Sequence, residues 1–113
     1  MDINTALTGI VSSLKAADPY KIILFGSYAK GNATEHSDID LMVILDSEEV
    51  AKNRKERMEK NLYIGRLVRE INEEFAMDIL VYSKAELRKA KDYCHFFIDE
   101  VERTGRVLYE KTG

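Results

Sequence analysis

One cysteine and one proline are all that the 113 residues hold of either type, and tryptophan is absent. A lone thiol, Cys94, excludes an internal disulfide framework and fits a reducing compartment. So little proline, with six glycines, excludes collagen-like and low-complexity chains. No apolar run approaches the ~20 residues needed to cross a bilayer. The opening residues, Met1-Asp2-Ile3-Asn4-Thr5, carry neither the basic nor the apolar region of an export signal, so a cytoplasmic location without membrane attachment is expected. Positive charge is not in surplus either: 17 basic against 20 acidic side chains leave a formal net charge of -3. That excludes a general electrostatic grip on nucleic acid, which leaves a strongly basic footprint. What remains is 45% hydrophobic and 33% charged, a composition able to hide roughly two-thirds of its unfolded surface. A single domain spanning residues 1–113 is expected.

The hydrophobic pattern alternates between helical and extended segments. Ile3, Leu7, Ile10, Val11 and Leu14 recur at three- and four-residue steps, the stripe of an amphipathic helix. Asp18-Pro19 ends it, because proline disfavours helix in the residue before it. Lys21 to Phe25 is a short, continuously apolar run closed by Gly26, which reads as a buried strand. Gly31 to Ser37 is polar and reads as a loop, and Asp38 to Leu45 as a second strand. Asp46, with Glu49 three residues on, has the pattern of a helix start. A helical region is therefore expected from there towards Phe75, with a break near Asn61. Met77 to Tyr82 reads as a third strand, Ser83-Lys84-Ala85-Glu86 as a capping box opening a helix, Phe96 to Val101 as a further helix, and Arg106 to Tyr109 as a last short strand. The expected class is α/β (α+β): a small mixed sheet flanked by helices.

The chemistry is concentrated in two short stretches. In a strand, alternate residues share a face, so Asp38 and Asp40 project together, roughly 7 Å apart. Two like charges at that distance repel by about 2 kcal/mol at an effective dielectric near 20. A divalent cation reverses the sign of that interaction, and hard carboxylate oxygens suit Mg²⁺ when substrate phosphates fill its other positions. Gly26-Ser27 ends a buried strand and opens what reads as one helical turn closed by Gly31. Backbone N–H groups at such a corner form a phosphate cradle, to which Ser27 adds a hydroxyl donor. Gly26 and Gly31 have the glycine spacing of a P-loop, but Asn32-Ala33 stand where lysine and serine or threonine are required, so this is not a Walker A site. Asp78 enters an otherwise apolar strand, where a carboxylate is costly unless paired. If that strand lies beside the second, three carboxylates converge next to a phosphate cradle. That is the arrangement of two-metal phosphoryl or nucleotidyl transfer.

Gly26-Ser27, ten intervening residues, then Asp38-Ile39-Asp40 resembles the signature of the nucleotidyltransferase superfamily related to DNA polymerase beta. The local form, GSYAKGNATEHSDIDLMV, is similar to the minimal nucleotidyltransferases (MNT or MntA-type antitoxins), with which the leading helix, the acid at Asp78 and the ending Arg106 to Glu110 also agree. The resemblance implies that Asp38 and Asp40 hold catalytic Mg²⁺, that Asp78 completes the metal site or acts as general base, and that Gly26 and Ser27 hold the triphosphate of ATP. Lys30, where the family often has arginine, would steady phosphate charge, unless it is a solvated helix residue. The resemblance further implies a HEPN-domain toxin as partner, a tyrosine of which receives AMP while pyrophosphate leaves; a homo- or hetero-oligomer is an expectation that no residue of the sequence carries. Two alternatives stay open. One is an antitoxin that neutralises its partner by binding alone; the other is transfer to a small molecule such as an aminoglycoside. His36, His95 and Cys94 match no zinc spacing. Cys94 reads as a packing residue, Lys52 to Lys60 as a solvated face, and Tyr93, Phe96 and Phe97 as core or interface.

Overall fold

The computed structural model of the protein describes residues 1–112. Asp2 accepts the Thr5 amide at 2.8 Å and so caps α1 (Ile3–Leu14), whose buried stripe is Ala6, Leu7, Ile10 and Leu14. A 3₁₀ turn over Lys15–Ala17 follows, and Asp18 adopts a left-handed conformation, φ 53°. Pro19 excludes helix at that position, and the chain leaves directly into β1 (Pro19–Phe25), two residues earlier than the apolar run indicated. The short α2 (Ser27–Lys30) leads through a polar loop to β2 (Ile39–Leu45). Then come α3 (Arg54–Leu67), α4 (Arg69–Asn72), β3 (Met77–Ser83), α5 (Lys84–Tyr93), α6 (His95–Thr104) and β4 (Arg106–Glu110).

The four strands form one mixed sheet in the order β3-β2-β1-β4. β1 is antiparallel to both β2 and β4, while β2 and β3 run parallel. A parallel neighbour requires a crossover, which the α3–α4 segment supplies. Along β2 the side chains alternate between two cores. Ile39, Leu41 and Val43 pack with α1, α3 and α4 around Ile10, Ile64 and Ile71. Met42 and Ile44 pack with α5 and α6 around Ala90, Ile98 and Val101. All five strand residues are at most 3% exposed, and that burial on both faces is why β2 reads as an unbroken apolar run rather than an alternating one. The expected class therefore holds, as a three-layer sandwich.

One expected helix is shorter than its pattern. Residues 46–53 form an irregular strap, and α3 begins only at Arg54, capped by Asn53, which accepts the Glu56 amide at 2.9 Å. Asp46 does not cap a helix because its carboxylate is taken by Lys84 at 2.8 Å and Lys111 at 2.7 Å. These partners hold its pKa at about 2. The strap is also tied to α5: Glu86, 4% exposed, accepts from the Ala51 amide, the Lys60 ammonium and the Ser83 amide. Burial alone pushes the Glu86 carboxyl upward, but those donors overrule it and hold the group at about 2. The Ser83–Glu86 capping box is formed as its sequence indicates. The break in the long helical region falls at Val68 rather than near Asn61. Arg54 to Lys60 occupies the mostly exposed first half of α3.

Candidate active site

The β1–α2 corner is shaped by two glycines. Gly26 has φ 74° and ψ -153°, and Gly31, with φ 80°, closes the turn by donating its N–H to the Ser27 carbonyl. L-residues with a side chain rarely adopt such angles. A Cβ at Gly26 would also fall against Oδ2 of Asp40 and lie 3.1 Å from its Cγ. Glycine is therefore required both by the backbone angle and by the neighbouring carboxylate, which brings the turn and the acid into direct contact.

The acids are assembled by strand pairing. Asp40 is the register partner of Phe25 on β1 and of Asp78 on β3, so the three residues lie in one row across the sheet. The Ile39 amide donates to the Ala76 carbonyl at 2.8 Å, fixing the starts of β2 and β3 at the same level. Asp40 has the parity of Met42 and Ile44 and so projects on the face covered by α5 and α6, while Asp38 stands one residue before β2, near enough for its charge to act on Asp40. Asp38 and Asp78 are exposed and Asp40 is half-buried. Burial raises the Asp40 pKa, and the charges of Asp78 and Asp38 raise it further. Asp40 thus feels both of the other predicted acids, the signature of a site lacking a compensating positive charge.

Among the described residues, no three Asp, Glu, His or Cys side chains close into a ready-made metal cage. The donor set nonetheless fits a divalent cation. It consists of carboxylates at the neighbouring starts of β2 and β3, beside a glycine turn, and Mg²⁺ prefers such partial protein coordination completed by substrate. Lys30 pairs with Glu100 of α6 at 3.6 Å, both side chains about half exposed. His36 is exposed in the loop before β2, 3.4 Å from Glu35. Cys94 is half-buried against the α5–α6 core, in keeping with a packing role. Sequence reasoning did not bring α6 to this corner. The Phe25 ring meets Phe97 edge-on, with centroids 5.8 Å apart at 84°, and the Lys30–Glu100 pair joins α2 to the same helix. Apart from Phe25 standing next to Gly26, no local signal marks these neighbours.

A small mixed sheet with a Gly-Ser turn and an acid row at one strand end defines a nucleotidyl-transfer type of domain. The nucleotidyltransferase domain family matches residues 6–74, more than half of the chain, and the chain belongs to that family. Two curated proteins of Methanocaldococcus jannaschii are similar. "Putative protein adenylyltransferase MJ1305" is 41% identical over 63 residues, which cover 55% of this chain and 39% of that protein. "Putative protein adenylyltransferase MJ0604" is 65% identical over 26 residues, 23% of this chain and 26% of that protein. The matched segments thus cover well under half of either relative's length. Among solved structures, a toxin–antitoxin complex with AMP-PNP superposes with TM-score 0.61 at 21% identity, covering 94% of this chain and 74% of that one. A putative nucleotidyltransferase from Sulfolobus solfataricus gives TM-score 0.55 at 19% identity, covering 93% of this chain and 78% of that one. At those identities the structural likeness concerns the fold.

Proposed function

We propose that this chain is a Mg²⁺-dependent protein adenylyltransferase and the antitoxin of a toxin–antitoxin pair, transferring AMP from ATP to a tyrosine of a HEPN-domain toxin. The observation that carries the reading is the row Phe25–Asp40–Asp78, with Asp38 beside it and the Gly26 turn in contact with Asp40. Asp38 and Asp40 would hold the cation, with Asp78 completing the set or taking the proton of the attacking hydroxyl. A pair of such ions bound there would supply charge stabilisation at the attacking and the leaving oxygens of an in-line displacement. The Gly26–Ser27 turn binds the triphosphate through its first N–H groups, which have no partner within a helical turn, and through the Ser27 hydroxyl. The tyrosine oxygen forms a new bond to the α-phosphorus, the bond from that phosphorus to the bridging oxygen breaks, and pyrophosphate departs with the electron pair. The phenol proton leaves through a base, and the exposure of Asp78 at the end of the row supports that role. The relatives named as protein adenylyltransferases and the toxin–antitoxin neighbour with AMP-PNP support both the class of acceptor and the nucleotide.

The test is the intact mass of a HEPN-family partner purified with this protein, after incubation with ATP and Mg²⁺. A gain of one AMP residue or a multiple of it, abolished by Asp38→Asn with Asp40→Asn, is expected. A stable complex with no mass gain would refute catalysis and leave neutralisation by binding. Absence of both complex and mass gain would redirect the search for an acceptor to small molecules.

A further inference from the structure

The acid row lies on the sheet face that α5 and α6 cover, and α6 borders the site at two points. Phe97 braces Phe25, whose Cα partner is Asp40. Glu100, one turn further along, reaches Lys30 of the glycine-rich corner. Phe97 is nevertheless 39% exposed. Packing of the α5–α6 core therefore does not account for the whole ring: one part is fixed by Phe25, the residue before Gly26, and the rest faces solvent. A ring held edge-on has little freedom left to lose on binding, so a planar ligand stacking on it incurs little ordering cost.

We propose that Phe97, positioned by Phe25, is the stacking platform for a purine base of the nucleoside triphosphate whose phosphates sit at the Gly26–Ser27 turn. The inference rests on the nucleotidyl-transfer reading and deepens it by giving the base a location. Stacking recognises a π-face rather than a hydrogen-bond pattern. The site should therefore prefer purine to pyrimidine nucleotides through contact area and separate adenine from guanine only weakly. Phe96 is distinct. At 87% exposed, next along the helix and paired edge-on with His95 at 5.4 Å, it has no part in the platform.

Calorimetric titration of the full chain in Mg²⁺, with ATP, CTP and inorganic tripolyphosphate as probes, tests this. The wild-type chain should bind ATP about ten- to a hundredfold tighter than tripolyphosphate, with CTP between them. Phe97→Leu should erase that margin without changing tripolyphosphate affinity, Phe97→Tyr should keep it, and Phe96→Ala should leave all three affinities unchanged. Equal binding of ATP and tripolyphosphate by the wild type, or unchanged ATP binding by folded Phe97→Leu, would overturn the platform while leaving the nucleotidyl-transfer reading intact. Unchanged ATP binding combined with lost AMP transfer to a protein acceptor would likewise overturn it and make the ring a docking contact for that acceptor. Failure of the wild type to bind ATP or tripolyphosphate would bring down the nucleotidyl-transfer reading itself. Should Phe97→Leu fail to fold, nuclear Overhauser contacts between adenine H2 or H8 and the Phe97 ring of the wild type decide the matter: their presence supports the platform and their absence refutes it.

Discussion

Replacing Asp40 by asparagine should remove the chemistry and at the same time strengthen the fold. Asp40 is half-buried and faces Asp78 and Asp38, and both effects raise its pKa. The sign follows from linkage. A carboxyl whose folded pKa lies above its unfolded value makes the native state less stable once ionised. The cost is complete above the folded pKa and vanishes as the pH falls below the ordinary value of 3.8. Carboxylates on adjacent strands, or two residues apart along one strand, lie roughly 5–7 Å apart. At effective dielectrics of 20–80 each pair repels by about 0.6–3 kcal/mol. Asp38 and Asp78 are exposed, which favours the lower half of that range, so Asp40→Asn should gain about 1–2 kcal/mol at neutral pH. For a domain of this size that raises Tm by roughly 4–10 °C. The assay is thermal unfolding followed by circular dichroism at pH 7 in chelator, repeated in Mg²⁺. The wild type should gain Tm with Mg²⁺ by mass action, and the variant should gain less. A lower Tm for Asp40→Asn in chelator, or a wild type indifferent to Mg²⁺, would refute the view that these acids form a repelling site awaiting a cation.

Gly26→Ala places a methyl group against the Asp40 carboxylate at a positive φ. It should destabilise the chain by more than about 1 kcal/mol and abolish AMP transfer, measured by denaturant titration and by acceptor mass. Glu86→Gln removes the charge that fastens the 46–53 strap. With a folded pKa of about 2 against 4.5, the ionised form of Glu86 contributes about 3 kcal/mol. That contribution is fully present above pH 4.5 and lost as the pH falls towards 2. Urea titrations at pH 7 and pH 3 should show the wild type losing about 2 kcal/mol between them through a component that the variant lacks.

The amino-acid order determined whatever rests on local or periodic physics. The α1 stripe from Ile3 to Leu14, the apolar runs of β1 and β2, the Ser83–Glu86 capping box and the Gly26-Ser27 to Asp40 spacing were each legible because neighbouring residues in the chain suffice to fix them. Strand parity predicts Asp38 and Asp40 on one face, although β2 begins only at Ile39. The start of α3 was not legible. Asp46 has the chemistry of a helix cap, but its carboxylate is claimed by Lys84 and by Lys111, 65 residues away, and Asn53 caps instead. Nor could the sequence bring Asp78 to Asp40, since that depends on β2 and β3 pairing in parallel at one register, 38 residues apart along the chain. The raised pKa of Asp40, the Phe25–Phe97 contact and the Lys30–Glu100 pair are of the same kind. Alternation and capping are short-range effects written in adjacent residues, whereas charge repulsion and ring packing at the site arise only once distant segments have been brought into contact.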